Sequence, residues 1–345
     1  MMPTHNINLF PTRRDENWKY SDLRSSLNQI SNGIESINEP FFTLPDGLTT
    51  EEVGCECASL KNISSVLAEN YCHKAWKIDV PESFESDQPL VISNLNCGHS
   101  QIIININKGG RLSLVEYHES KSNSFINTNI IINIMDKGEL DRIIFHDDTH
   151  ETVRISSAII NSESDTRITQ NAISFGGALS RIETIITANG ENLNATINGA
   201  YLLSESRHCD MTSNIDLLKP NCYIRQLVKG VVKDKSNGVF QGKFHVHRPA
   251  QFTDAEMRHD ALMLSDTSKI RSKPELEIYA DDVACAHGNT IGQLDEDVLF
   301  YLRQRSIPLS EAEAMLTEAF VSDVFYSLKD NHLKENILTK IRGRL

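Results

Sequence analysis

Five short clusters in the 345-residue chain carry side chains able to hold a metal or act as nucleophiles. Cys285-Ala286-His287-Gly288 is the sharpest. On an extended segment Cys285 and His287 project to one side, and the glycine leaves the backbone accessible. Thiolate and imidazole suit soft and borderline metals, iron among them. Two ligands do not complete a site, so others must fold in or come from a second chain. His245-Val246-His247 would also place two imidazoles on one face of a strand, where a solvent-facing pair is the commoner outcome than a metal site. Cys55-Glu56-Cys57 has no second cysteine pair nearby to close a four-ligand zinc site. Cys72-His73 and His208-Cys209 are immediate neighbours, which rarely bind one ion together. Taken alone, Cys285 and His287 also fit a buried structural thiol and a hydrogen-bonded imidazole.

Other chemistries lack their signatures. No G-x-x-x-x-G-K-S loop is present, so the chain is not expected to bind or hydrolyse ATP itself. No G-x-G-x-x-G follows a strand, no G-x-S-x-G elbow occurs, and no carboxylate pair stands out as an acid/base couple. Lys plus Arg total 34 against 47 Asp plus Glu, a net charge of −13, which argues against general nucleic-acid binding. An apolar fraction of 39% with 23% charged residues is ordinary for a globular chain. No apolar run approaches the roughly 18 residues of a membrane span. Met1 to Asn8 has no basic region followed by an apolar stretch, so a secretory signal is not expected. Seven irregularly spaced cysteines fit a reducing cytosol better than a disulfide scaffold, so a cytoplasmic protein is expected.

The elements that must position these residues fall into three zones. All ten prolines lie outside Val91–Lys219, and twenty of the positions 101–200 are Ile. A β-branched, proline-free stretch predicts strand after strand, because proline would remove a ladder donor. Gln101–Asn107, Ile126–Met135, Thr152–Ile160, Thr166–Ser174 and Ser180–Ala188 fit. Turn signals separate them at Asn107–Gly110, Asp136–Gly138, Phe175–Gly177, Asn189-Gly190 and Asn198-Gly199. With no helices between, a doubly wound sheet is disfavoured, and a sandwich, a barrel or a solenoid remains. Asn105, Asn107, Asn127, Asn129 and Asn133 between the isoleucines would suit stacked side-chain ladders, a lean toward the solenoid.

Both ends predict helices. Asp22–Ile34 and Glu51–Asn70 can form amphipathic helices. Asp295 can cap a helix through Arg305, and Ser310–Glu313 is a capping-box pattern. It opens an apolar stripe of Ala312, Met315, Leu316, Ala319, Phe320, Val324 and Leu328, and a basic helix His332–Arg344 follows.

Three segments add a resemblance. They are Pro11-Thr12-Arg13-Arg14-Asp15-Glu16-Asn17-Trp18-Lys19-Tyr20-Ser21-Asp22-Leu23, Ser272–Val283 (S-K-P-E-L-E-I-Y-A-D-D-V) running into Cys285–Gly288, and Ile291–Glu296 with Leu299–Arg305. In order, spacing and content they resemble the SufB/SufD family of the SufBCD iron–sulfur cluster assembly scaffold, on its SufD side. The SufB pattern carries a Cys before Asp-Ser-Leu-Leu, where this chain has His259. The resemblance implies a mainly β fold: a right-handed parallel β-helix over 76–288, between helical domains at 1–75 and 289–345. It implies pairing with SufB through the β-helix and docking of the SufC ATPase on the C-terminal helices, near Leu294, Asp295, Phe300, Tyr301, Arg303 and Arg305. It further implies a transient iron–sulfur cluster at the SufB interface, held with His287 and neighboured by Cys285. The chain itself would then be a non-catalytic scaffold, and an isolated chain could pair with itself. Two departures stand out. Asn289 replaces a small Ala, which would alter polarity near His287, and Ser306 replaces a helix-ending Gly. The alternatives are a free-standing metalloenzyme using His245, His247, Cys285 and His287, and a purely structural adaptor.

Overall fold

A run such as Ile102–Ile104 puts apolar side chains on both alternating faces, which suits a strand covered on both sides. In the computed structural model, which describes residues 10–345 except 31, 95, 121, 122, 327 and 329, such runs build a parallel β-solenoid of about 8 turns, with 48% of the chain in strands. Successive strands alternate between two nine-stranded sheets. One holds, in order, β1 (Phe41–Thr43), β4 (Leu90–Asn94), β6 (Arg111–Ser120), β8 (Glu139–Asp148), β10 (Arg167–Ser174), β12 (Asn194–Leu203), β14 (Tyr223–Val232), β16 (Asp254–Met263) and β18 (Ala284–Gly292). The other holds β2 (Glu51–Val53), β3 (Ala75–Val80), β5 (Gly98–Ile106), β7 (Phe125–Ile134), β9 (Val153–Ser162), β11 (Leu179–Ala188), β13 (His208–Leu217), β15 (Asn237–Val246) and β17 (Lys269–Ile278).

Stacking identical side chains from coil to coil fixes the register. Ile104, Ile132, Ile160 and Ile186 stand over one another in the interior, while Ile103 and Ile131 pack on the outer face beside Ala75. A one-residue slip would exchange these two sets. On the same outer face runs an asparagine ladder: Asn161 Nδ2 donates to Asn133 Oδ1 at 2.9 Å, Asn133 to Asn105 at 2.8 Å, and Asn105 to Asp79 at 2.7 Å. The asparagines are 28 residues apart, one full coil, and Asp79 lies 26 residues before Asn105. The corners stack too. Lys137, Asp165, Asn192, Asn221 and Phe252 all take left-handed backbone at φ near +60°. Each passes its N–H to a carbonyl one coil on, as from Lys137 to Ser164 at 2.9 Å and from Asp165 to Glu191 at 2.8 Å. Asn198-Gly199 is not a turn. It lies within β12, where a Cβ on Gly199 would meet Met211 Sδ at 2.9 Å.

The two ends of the stack differ. At the first coil β1 and β2 are the end strands, and they pair antiparallel with β4 and β3. At the last coil β17 and β18 each have a strand partner on one side only among the described residues. Pro274, inside β17, is tolerated there because an edge strand can lack a ladder donor.

The N-terminal segment is clipped along the solenoid. Asp22 caps α1 (Leu23–Leu27), which ends well short of the predicted Ile34, because the chain must then meet the sheet backbone. Phe125 N–H reaches Asn32 O at 2.8 Å, and a Cβ on Gly33 would lie 2.2 Å from Phe125 O. Glu51–Val53 is strand rather than helix, and α2 (Ile63–Tyr71) begins only after the Asn62 cap. Trp18 lies over the buried Arg181 guanidinium at 4.2 Å. Ser21 donates to Asp210 Oδ2 at 2.6 Å, and Arg181 joins the same carboxylate at 2.8 Å. These contacts account for the Trp18–Ser21 part of the N-terminal motif.

At the C-terminus α3 (Glu296–Gln304), α4 (Leu309–Ser322) and α5 (Asn331–Arg342) follow β18. Val321, Val324, Phe325, Leu333, Ile337 and Ile341 pack on the outer face of the β18 sheet against Ile143, Phe145, Ile173 and Val231. Lys340 and Arg344 both bond Asp147. The stripe on α4 is thus only partly core, with Met315 46% exposed. Ser310 does not cap α4: Pro308 stands at the N-cap two residues earlier, leaving Ser310 inside the helix.

His99 on β5 tests this docking. It is fully buried, with Nε2–H donated to Ile34 O at 2.8 Å and Tyr71 stacked on its ring at 4.7 Å. Burial pushes its pKa down to about 4, against the hydrogen bond to Ile34, from an ordinary 6.5. The unfolded chain therefore takes up a proton between pH 6.5 and 4 that the folded chain refuses. Stability is fully present above pH 6.5 and falls through that window, by about 3 kcal/mol at pH 4 from this group. Urea denaturation of His99→Gln should show a flatter dependence on pH over the window than the natural chain; identical slopes would remove His99 from the account.

Candidate functional site

Strand alternation decides where the predicted site residues point. In β18, Cys285 pairs with Ala255 and His287 with Met257, both inward-facing core residues of β16. Cys285 and His287 therefore share the interior face at the open end of the solenoid, as their spacing required. Cys285 is half-buried against the core, and His287 is exposed. Burial pushes the Cys285 thiol up, which a backbone hydrogen bond from Ala255 partly offsets, so the free chain presents Cys285 as a thiol.

Asn289 continues the same face and accounts for its departure from the resemblance. Its Oδ1 accepts from His259 Nδ1 at 2.8 Å, and His259 Nε2 in turn accepts from Tyr201 Oη at 2.9 Å. His259 is fully buried and stacked on Phe240 with ring centroids 4.9 Å apart. Burial lowers its pKa, so it stays neutral with one donor and one acceptor, both used. Tyr201, also fully buried, occupies space left by two glycines of adjoining coils: a Cβ on Gly230 would lie 2.1 Å from its ring, and one on Gly238 2.4 Å. Sequence reasoning singled out His259 and Asn289 but missed Tyr201. The glycines opposite it, Gly230 and Gly238, were its only sequence trace.

Deeper in the interior, buried charges are paired. Arg142 joins Glu116 at 2.5 Å and Gln170 at 2.8 Å, and Arg154 grips Asp148 through two 2.7 Å bonds. Burial pushes the Glu116 carboxyl up, but Arg142 and His118 hold it down at about 2.

The residues predicted to meet a partner lie just beyond β18. Asp295 caps α3, accepting from Asp297 N at 2.9 Å and Val298 N at 3.2 Å. No residue of α3 is buried, and Phe300 and Tyr301 are 63% and 52% exposed. Arg305 covers the Tyr301 ring at 4.6 Å, Arg303 is exposed, and Leu294 lines a cavity of about 600 Å³ between the helices and the sheet. Ser306 takes over the helix stop in left-handed backbone at φ 65°. Its N–H reaches Arg303 O and that of Ile307 reaches Leu302 O, a Schellman closure without glycine.

His245 and His247 do not join Cys285 and His287. They face outward from the other sheet, with Asp216 beside them. The four-residue metal set considered from sequence is therefore not assembled. All seven cysteines are free.

A family model described as "SUF system FeS cluster assembly, SufBD core domain" matches residues 91–320, about two thirds of the chain. The chain belongs to the SufBD family of iron–sulfur cluster assembly proteins. It is 26% identical to the iron–sulfur cluster assembly protein SufD of Escherichia coli over 97% of this chain and 89% of that protein, which makes it SufD-type. A SufBD family protein of Synechocystis is 32% identical over 57% of this chain and 42% of its own length. SufD of Bacillus subtilis is 31% identical over 34% and 27%. The family model covers the solenoid from β4 to β18, all of α3 and most of α4, so β18 and its residues lie within the matched core. No helix among the described residues is long and apolar enough to cross a membrane.

The interior support of β18 in this SufD-type chain is testable at Gly230. Gly230→Ala forces the buried Tyr201 ring to move and should lower unfolding free energy by about 1–3 kcal/mol. A denaturation midpoint equal to that of the unsubstituted chain would show that Tyr201 is not held as described.

Proposed function

We propose that this chain is a non-catalytic scaffold subunit that pairs with a SufB partner through its open solenoid end and places His287 at the nascent cluster. The observation that carries the reading is that His287 sits exposed on β18, the last strand of its sheet, with Cys285 beside it. A strand edge presents unpaired N–H and C=O groups that a second solenoid can continue, and in isolation a second copy of this chain would meet the same edges. A SufB cysteine across the joint would add the ligands that two residues cannot supply. The iron–sulfur cluster is cargo: replacing a thiolate by a neutral imidazole lowers negative charge at iron, and a site shared between chains opens when they part.

The SufC ATPase would dock on the C-terminal helices through Leu294, Asp295, Phe300, Tyr301, Arg303 and Arg305. The exposed face of α3 supports that assignment, since Val298, Phe300 and Tyr301 are open to solvent while Leu299 and Leu302 are half-buried. Nucleotide chemistry then belongs to the partner, in keeping with the lack of a phosphate loop here. Only Gln293, Leu294 and Asp295 separate β18 from α3. Movement of α3 on ATP binding by SufC would therefore act almost directly on the strand holding His287. In this reading 1–75 is the N-terminal domain, 76–288 the core and 289–345 the ATPase-docking domain, with β18 running on to Gly292.

His287→Ala should leave the three-subunit complex assembled by size-exclusion chromatography. Iron and sulfide per complex, after anaerobic reconstitution, should fall to a small fraction of the natural yield. Full cluster content in that variant would overturn the assignment.

A further inference from the structure

We propose that Asp216, His245 and His247 form a binding site for one divalent first-row transition-metal ion, separate from the Cys285–His287 end. Asp216 on β13 and His245 on β15 are register partners on the outer face of their sheet, 29 residues apart, and His247 follows His245 by one strand repeat. Asp216 Oδ1 lies 2.9 Å from His245 Nδ1 and 3.8 Å from His247 Nε2, and the imidazole centroids are 3.8 Å apart. One donor atom from each of the three residues lies within 4.8 Å of the other two. Metal–ligand bonds of about 2.0–2.2 Å require donor atoms separated by roughly 3–3.5 Å, so only a small rotation of His247 is needed.

The donor chemistry selects the ion class. Two imidazoles and one carboxylate suit Zn(II), Fe(II), Co(II) and their neighbours, while Ca(II) and Mg(II) prefer all-oxygen sites. Three protein ligands leave coordination positions for solvent, and each residue is partly exposed, so an ion can enter directly. Tyr279, Arg248 and Asp281 wall the same depression, with the Tyr279 ring 5.5 Å from His245. The site stands on strands one and two places in from the β17 edge, in the sheet that does not carry His287, so the two sites can be tested apart.

The test uses the full chain without a histidine tag, titrated with Co(II) by absorbance and then with Zn(II) in competition. The natural chain and the Cys285→Ser/His287→Ala double variant should each bind one ion per chain at this site. His245→Ala, His247→Ala and Asp216→Asn should each weaken binding at least tenfold, with folding verified by circular dichroism. An anaerobic Fe(II) titration should show the same pattern. Failure of the natural chain to bind, equal binding by the His245→Ala/His247→Ala double variant, or loss of binding only in the Cys285/His287 double variant would each overturn the proposal.

Discussion

Everything in this molecule depends on one hydrogen-bonding constraint: in a parallel stack each strand passes its backbone groups to the strand one coil on, so the stack must begin and end somewhere. The chain resolves the two ends differently. At the start, the end strands β1 and β2 are short and run antiparallel to their neighbours. At the finish, β17 and β18 stand as last strands of their sheets, and the residue types suited to iron lie on β18. The fold thus places Cys285 and His287 together on an end strand.

The interior keeps that end in shape. Tyr201, His259 and Asn289 carry hydrogen bonds from the core onto β18, and each has its partner within reach. Further in, Glu116–Arg142 and Asp148–Arg154 are buried pairs, each with additional bonds or a two-pronged grip that offsets the cost of desolvation. A mixed interior specifies which coil stands over which more sharply than isoleucine alone, since a slipped coil would leave charges unpaired.

Much of this was legible in the sequence, and the gaps have physical causes. The strands Ile126–Met135 and Ser180–Ala188 were readable because β-branched runs without proline admit little else, and the asparagines hinted at the ladder that Asn105, Asn133 and Asn161 form. The shared face of Cys285 and His287 followed from a two-residue repeat, although the choice of a solenoid over a sandwich came from family resemblance. Long-range partners were not legible. Asp216 is one coil away from His245, Tyr201 is 58 residues from His259, and no local pattern marks either pair. The N-terminal helices were overextended because periodicity cannot report that the Asn32 carbonyl is needed by Phe125. The capping box at Ser310 failed because Pro308 had already begun the helix.

The central claim is that the open end formed by β17 and β18 is where the partner solenoid joins. Amide hydrogen exchange, read by mass spectrometry on the chain alone and after adding a SufB-type partner, tests it directly. The account predicts that new protection is concentrated in peptides covering Lys269–Ile278 and Ala284–Gly292, with β1 and β2 unchanged. Protection that falls on β1, β2 or the outer sheet faces while β17 and β18 exchange as before would contradict it.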